Sequence, residues 1–217
     1  MGSIKDLLPR WSSFFSDNKK LIRDILCTID SSGQRINPGR EEIFSIYHMM
    51  DPEDIRVVII GQSPYPDDNA CGIPFVSKVG KVPKTLEVMR DEIYFEYDVR
   101  VGDPNGMVLS WVKEGVFIIN AAPTIGINTD KEYLKDHYIL WREYMVNLVS
   151  YVCRKEVPSL LLGKDAWSFE ESVSSECIIK VPHPVSRSDK KFLGSGLFTS
   201  TNSYLRSKGL EEIQWCF

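Results

Sequence analysis

Four short apolar runs constrain the fold of this 217-residue chain more than any other feature. A continuous run rich in β-branched and other apolar residues is typical of a strand buried on both faces of a sheet. Stretches with helical spacing separate the runs, notably 85–97 and 133–154. The runs cover residues 56–61, 116–120, 159–163 and 177–181. Because strands and helices alternate, we predict one α/β domain with a central, four-stranded, parallel and twisted sheet flanked by helices.

The part of the chain before the first strand has a different pattern. Apolar residues recur at close to helical spacing in 11–29, and 40–50 follows a loop marked by Pro38 and Gly39. Both segments are predicted to be helices. We therefore expect a single domain over residues 1–217, with a helical N-terminal part (1–55) and a sheet core carrying the active-site loops (56–217).

The composition limits the classes of protein to which this chain can belong. The hydrophobic fraction of 43% is ample for a packed core, and the net charge of -4 argues against indiscriminate nucleic-acid binding but leaves a local basic face possible. The five cysteines form no C-x-x-C pair, so we expect reduced thiols, no metal and no cofactor. No apolar run approaches the roughly 18 residues of a membrane span, and charges interrupt the N-terminus. An intracellular location, cytoplasmic or nuclear, is expected.

Chemistry is expected at the carboxyl ends of the strands, where parallel α/β sheets bind their ligands. The first strand is followed by G-Q-S-P-Y-P (61–66), the second ends at Asn120, and the fourth is followed by His183. The residues after the third strand, 163–165, were interpreted as uninformative. An aromatic ring, an amide and an imidazole at neighbouring strand ends predict a small pocket that stacks on and hydrogen-bonds a planar, polar heterocycle.

The order of these motifs resembles that of family 1 uracil-DNA glycosylases along almost the whole chain. Residues 61–77 are similar to the family's G-Q-D-P-Y-H…G-x-x-F-S motif, 115–121 to its G-V-L-L-L-N-x strand, and 183–205 to its H-P-S-P-L-S…F…F-x-x-x-N-x-x-L segment. The resemblance implies an enzyme that flips uracil out of DNA and hydrolyses its N-glycosidic bond, leaving an abasic site for base excision repair.

The resemblance also assigns roles to individual residues. Phe75 stacks on the flipped uracil, and Asn120 hydrogen-bonds its edge. Tyr65 rejects the methyl group of thymine by steric clash, a form of specificity by repulsion. Backbone amides near Gln62 assist recognition, while His183 stabilises the negative charge that develops on the departing base.

Position 63 departs from the family pattern because Ser63 stands where the family has its water-activating aspartate. A hydroxyl is too weak a base at pH 7, and general-base assistance is typically worth about 10²–10⁴-fold in rate. Asp67 or Asp68 could supply a carboxylate, although capping a turn is the commoner role for such residues. Two alternatives to an efficient enzyme stay open: a weakly catalytic or non-catalytic replication-accessory protein of the processivity type, and an engineered substitution at Ser63.

Two further departures point to a viral source. Pro66 replaces the family histidine, and Arg187 aligns with the leucine that wedges into the DNA stack; both resemble poxvirus-type members. The expected partners are uracil-containing DNA and either a viral replication protein or a proteinaceous glycosylase inhibitor. Backbone amides and hydroxyls in short loops would bind DNA phosphates without reading sequence. The candidate DNA-binding residues are Pro83, Lys84, Thr85, Ser186, Arg187 and Ser188.

Overall fold

The computed structural model describes residues 9–67, 69–78, 82–127, 131–186 and 191–216. The predicted α/β architecture is confirmed: four parallel strands form the central sheet in the order β3-β2-β5-β6. A second sheet pairs β1 with β4 antiparallel. The strands are β1 (Ile36–Asn37), β2 (Val57–Gly61), β3 (Val116–Asn120), β4 (Ile125–Gly126), β5 (Ser159–Leu162) and β6 (Ile178–Val181).

The strand register aligns the carboxyl ends at one edge of the sheet. Gly61 at the end of β2 pairs with Asn120 at the end of β3, and Leu162 of β5 pairs with Val181 of β6. Every residue of β2, β3 and β5 is buried, which explains why these strands lack an alternating polar face. The side chains that follow the four strands are therefore brought together.

The helices that flank the sheet include both of those predicted between the strands, at 84–97 and 131–152. Within the described residues, no helix is both long and apolar enough to cross a membrane. The α-helices are α1 (Ser12–Asp17), α2 (Lys19–Ser32), α3 (Lys84–Tyr97), α4 (Pro104–Lys113), α5 (Lys131–Val152), α6 (Lys164–Trp167) and α7 (Leu197–Ser207).

The predicted helix over 11–29 is two helices, because the chain breaks at Asn18 between α1 and α2. Asn18 Nδ2 donates to the Phe14 carbonyl (2.9 Å), and Asn18 Oδ1 accepts from Asn147 Nδ2 on α5 (2.7 Å). A buried asparagine whose side chain bonds to nearby backbone competes with helical hydrogen bonding. Apolar spacing alone does not detect this break.

The predicted helix over 40–50 is wrong. The segment forms two short 3₁₀ turns, Arg40–Glu42 and Ser45–His48. Its apolar pairs lie three residues apart, Ile43 with Ile46 and Phe44 with Tyr47, and side chains at that spacing eclipse in a 3₁₀ helix.

The N-terminal part is packed onto the sheet rather than set apart from it. Trp11 is fully buried and stacks on Phe117 of β3, with ring centroids 5.4 Å apart. Its indole N–H donates to the Met50 carbonyl at 2.8 Å, so the polar atom of the ring is satisfied.

Candidate active site

A cavity of about 220 Å³ opens at the carboxyl edge of the sheet. Its walls come from the ends of β2, β3 and β6, the β2–α3 segment and the first turn of α3. The structure thus brings all six predicted uracil-binding and catalytic residues to one place: Gln62, Ser63, Tyr65, Phe75, Asn120 and His183. Thr85, predicted as a DNA-binding residue, also lines the cavity.

Gly61 allows the side chains of Asn120 and Phe75 to pack against the end of β2. A Cβ atom at this position would lie 2.7 Å from Asn120 Oδ1 and 3.0 Å from Phe75 Cζ. Asn120 is 8% exposed, and no described residue is found hydrogen-bonded to its side-chain amide. Because buried polar groups are normally paired, the Asn120 amide is available for a ligand that offers both a donor and an acceptor.

Phe75 holds a strained backbone conformation, with φ at 69°. A positive φ is a genuine outlier for a bulky residue, and such strain concentrates at functional sites. The ring is 6% exposed and forms part of the cavity wall. The strained backbone therefore presents an aromatic face beside the Asn120 amide.

Tyr65 lies across the loop from Phe75 and is fixed at both ends. Its hydroxyl donates to the Phe75 carbonyl (3.1 Å), and its own carbonyl accepts from Asn37 Nδ2 (2.7 Å). Burial raises the pKa of the Tyr65 hydroxyl, and the negative charge of Asp67 raises it further. The hydroxyl therefore stays protonated, and the ring is a rigid wall of the cavity.

His183 follows β6 and is held close to β5. A Cβ atom at Gly163 would lie 2.9 Å from His183 Cβ, so a glycine at 163 permits this approach. Burial lowers the pKa of the His183 imidazole, and the negative charge of Asp165 opposes that shift. Nδ1 accepts a long hydrogen bond from the Val185 N–H (3.4 Å), which places the N–H of the neutral ring on Nε2.

The end of the third strand contributes to the site, so its interpretation as uninformative is wrong. Gln62 Nε2, after β2, donates to Asp165 Oδ2, on α6 after β5, at 2.8 Å. Ser63 is half-buried next to Gln62 and lines the cavity. A carboxylate that does not come from position 63 therefore lies one hydrogen bond away from the lining residue Gln62.

Tyr138 is a second residue that the sequence analysis missed. Its hydroxyl is buried next to the side chains of Gln62, Ser63 and Asp165, and none of them meets the geometry of a hydrogen bond with it. The neighbouring His137 anchors this end of α5, with Nδ1 2.8 Å from Thr124 Oγ1. The position of Asp165 just after a strand end was the signal that could have found this group. Nothing in the sequence singles out Tyr138.

The candidate DNA-binding residues differ in their burial and in their contacts. Pro83 precedes α3, and Lys84 forms an exposed ion pair with Glu87 at 3.1 Å, while Thr85 is buried in the cavity wall. Ser186 is exposed, and its N–H donates to the His183 carbonyl at 2.8 Å. The predictions for Arg187, Ser188 and Asp68 fall outside the described residues.

The described residues include no group of three or more histidine, cysteine, aspartate or glutamate side chains placed to hold a metal ion. The five cysteines are free thiols. The polar groups in and next to the cavity wall thus include two amides (Gln62, Asn120), an imidazole (His183), four hydroxyls (Ser63, Tyr65, Thr85, Tyr138) and one carboxylate (Asp165).

Comparison with known proteins places this chain among DNA repair enzymes. The model of the uracil DNA glycosylase superfamily matches residues 48–206. A uracil-DNA glycosylase of Caenorhabditis elegans is 30% identical over 98% of this chain and 79% of its own length. One from Glaesserella parasuis is 32% identical over 84% of each chain.

Solved structures show the same fold. The crystal structure of mimivirus uracil-DNA glycosylase superposes with a TM-score of 0.83 over 95% of this chain and 86% of that one, at 24% identity. The glycosylase of Nitratifractor salsuginis gives a TM-score of 0.66 over 83% of this chain and 85% of that one, at 16% identity. With the match to its family model and to relatives above 30% identity, the chain belongs to the uracil-DNA glycosylase superfamily.

Proposed function

We propose that this protein excises uracil from DNA by flipping the base into the cavity and hydrolysing its N-glycosidic bond. The observation that carries the proposal is the buried Asn120 amide, which no described residue binds and which lies beside the Phe75 ring. A ring to stack on and a free amide to pair with a base edge together suit a planar base that offers both a donor and an acceptor. The product is an abasic site, the substrate of base excision repair.

Discrimination against thymine rests on Tyr65. Its ring is fixed by hydrogen bonds at the hydroxyl and at the backbone carbonyl, so it does not move aside for a larger base. A methyl group at C5 of the base would meet this ring. Rejection by an immobile wall is specificity through repulsion rather than attraction.

Departure of the base is assisted by His183. As the C1′–N1 bond breaks, its electron pair moves onto the base and develops charge at O2. A neutral imidazole that carries its N–H on Nε2 donates to that oxygen, and burial favours the neutral ring. The loss of one such donor typically costs about 10²–10³ in rate.

DNA is held by the loops around the cavity mouth. Thr85 lines the cavity, and Pro83 and Lys84 directly precede it in the chain. Ser186 follows the lining residue Val185, and Arg187 and Ser188 continue this second loop in sequence. Backbone amides and hydroxyls at such turns fix the register of phosphates and carry no base preference. The net charge of -4 is compatible with this local mode of binding.

A second candidate function is a replication-accessory protein that binds uracil-containing DNA and excises slowly. The serine at position 63 favours it, as do Pro66 and Arg187, which are similar to poxvirus-type members of the family. We infer a viral source from the same residues. A viral replication protein and a proteinaceous glycosylase inhibitor are the partners this second function predicts, within the host cytoplasm or nucleus.

One paired experiment separates the two functions. Uracil release from an oligonucleotide that contains one deoxyuridine is measured at 1:1 enzyme, for the unaltered chain and for Ser63→Asp. An enzyme releases uracil in both forms at comparable rates, and an accessory protein releases it slowly or not at all unless position 63 is aspartate. If neither form cuts while both bind the oligonucleotide, the assignment of the cavity as a uracil site is wrong.

A further inference from the structure

Asp165 lies behind the cavity wall and is bound by Gln62, a lining residue 103 positions away in the chain. Gln62 Nε2 donates to Asp165 Oδ2 at 2.8 Å, and Gln62 immediately precedes Ser63. Gln62 thus binds one of the two carboxylate oxygens, and no described residue forms a hydrogen bond of normal geometry with the other. The bond from Gln62 orients the Asp165 carboxylate, and its second oxygen can still accept a hydrogen bond.

The Tyr138 hydroxyl links this carboxylate to Ser63. It is buried, it contacts the side chains of Ser63, Gln62 and Asp165, and it forms no regular hydrogen bond with any of them. A buried hydroxyl without a partner is costly, and a bound water is the usual way in which such a group is satisfied. Burial raises the pKa of this hydroxyl and the charge of Asp165 adds to the shift, so it remains a proton donor.

The charge of Asp165 also extends over the other side of the site. It acts on the His183 imidazole, which lies at the end of the neighbouring strand. A negative charge close to the site favours a cationic sugar, because glycosyl transfer passes through an oxocarbenium-like transition state.

We propose that Asp165 is the catalytic carboxylate of this protein and acts as the general base that a serine at position 63 does not provide. The inference rests on the proposed function. Tyr138 and Ser63 hold the attacking water beside Asp165. The water oxygen forms a bond to C1′, the C1′–N1 bond breaks, and its electron pair leaves with the uracil anion. The water proton moves to the Asp165 carboxylate and is passed on to the uracil anion, so that an abasic sugar and free uracil result.

Asp67 is the weaker candidate for the same task. It is exposed, its carbonyl is bound by Asn37 Nδ2, and its charge acts on Tyr65, on the base-reading side of the cavity. Asp165 instead shares Tyr138 as a neighbour with Ser63.

The test measures single-turnover release of uracil from a single-deoxyuridine oligonucleotide by four forms. They are the unaltered chain, Asp165→Asn, Ser63→Asp and the double variant. Asparagine keeps an acceptor for Gln62 and removes the base, so the rate is expected to fall by about 10²–10⁴-fold. Affinity for an oligonucleotide with a non-hydrolysable 2′-fluoro-deoxyuridine is expected to change less than about threefold, because a lost general base affects the transition state and not the ground state.

Rescue of the Asp165→Asn rate by Ser63→Asp tests whether Asp165 acts as the general base. Ser63→Asp is expected to raise the rate by a larger factor in the Asp165→Asn background than in the unaltered chain, since one carboxylate then replaces the other. Glu171→Gln, which removes an exposed carboxylate on the same segment, is the matched control and keeps the unaltered rate. Thermal unfolding checks the fold of each form, and Asp165→Ser serves if the asparagine variant does not fold.

Four results overturn the proposal. An unaltered rate in Asp165→Asn, or equal acceleration by Ser63→Asp in both backgrounds, removes Asp165 from the chemistry and leaves the excision of uracil intact. Release by Ser63→Asp but not by the unaltered chain shows that Asp165 does not replace the missing base. Release by none of the four forms overturns the proposed function itself, and this inference falls with it.

Discussion

The two sides of the cavity are built differently. The base-reading side, formed by Tyr65, Phe75 and Asn120, has two side chains below 10% exposure and a tyrosine hydrogen-bonded at both ends. The water side, formed by Ser63, Tyr138 and Asp165, is partly exposed and contains a buried hydroxyl without a regular partner. The first side is fixed in shape and leaves the Asn120 amide for a base, and the second leaves polar atoms for a water.

This difference explains why the two sides tolerate different changes. A base-reading wall works by shape, and shape is fixed by close packing, so an altered side chain there leaves a gap or a clash. A water and a cationic sugar need a nearby negative charge, which can be supplied from more than one position. A serine at position 63 is therefore compatible with excision, whereas loss of Asn120 or Phe75 would remove the base itself.

The largest effect outside the water side is expected for His183→Ala. Removing the donor to the departing base should lower single-turnover excision by about 10²–10³-fold. Binding of the 2′-fluoro-deoxyuridine oligonucleotide should change much less, because the charge on the base develops in the transition state. A rate within threefold of the unaltered protein would contradict the assigned role.

Phe75→Ala tests the base-reading side. Base–aromatic stacking is worth about 1–3 kcal/mol per base, so affinity for uracil-containing DNA should fall by about 10–100-fold. Phe75→Gly is the matched variant: it should lose the same affinity and be more stable than Phe75→Ala by about 1 kcal/mol, because glycine adopts a φ of 69° without strain. Equal stability of the two variants in chemical unfolding would show that the backbone relaxes.

Tyr138→Phe tests the water side with a smaller change. The variant removes a hydroxyl that has no regular partner, so the free energy of unfolding should stay equal or rise. Excision should nevertheless fall, by about fivefold, since one hydrogen bond to the water is worth about 1 kcal/mol. A fall in both rate and stability would indicate that the hydroxyl is structural.

The smallest effect is expected from pH. The pKa of His183 is lowered from 6.5 by burial, so more than half of the rings stay neutral at pH 6.5 and the contribution of His183 to the rate falls less than about twofold between pH 7.5 and 6.5. The same shift affects stability. His183 is protonated at a higher pH in the unfolded chain than in the folded one, so the free energy of unfolding decreases as pH falls below the pKa of the unfolded chain. In His183→Gln, this loss should be smaller in unfolding curves measured between pH 7.5 and 5, and the part that remains comes from His137, whose pKa is also lowered by burial.

Sequence was sufficient where a local pattern determines the structure. The four strands followed from continuous apolar runs, and the cavity residues followed from their place after strand ends together with the family motifs. The helix predicted over 40–50 was wrong because apolar residues spaced by three fit an α-helix and a 3₁₀ turn equally well. The bond from Gln62 to Asp165 was missed because it joins residues 103 positions apart, and no motif connects them.

The most direct test of the account is the release of free base by the unaltered chain. Oligonucleotides that differ in one nucleotide, deoxyuridine, thymidine or deoxycytidine, are incubated with an equal amount of protein at pH 7.5, and the released base is quantified over time. The account predicts uracil release well above the rate without protein and neither thymine nor cytosine release. The absence of uracil release over hours, with the deoxyuridine oligonucleotide bound, would contradict it.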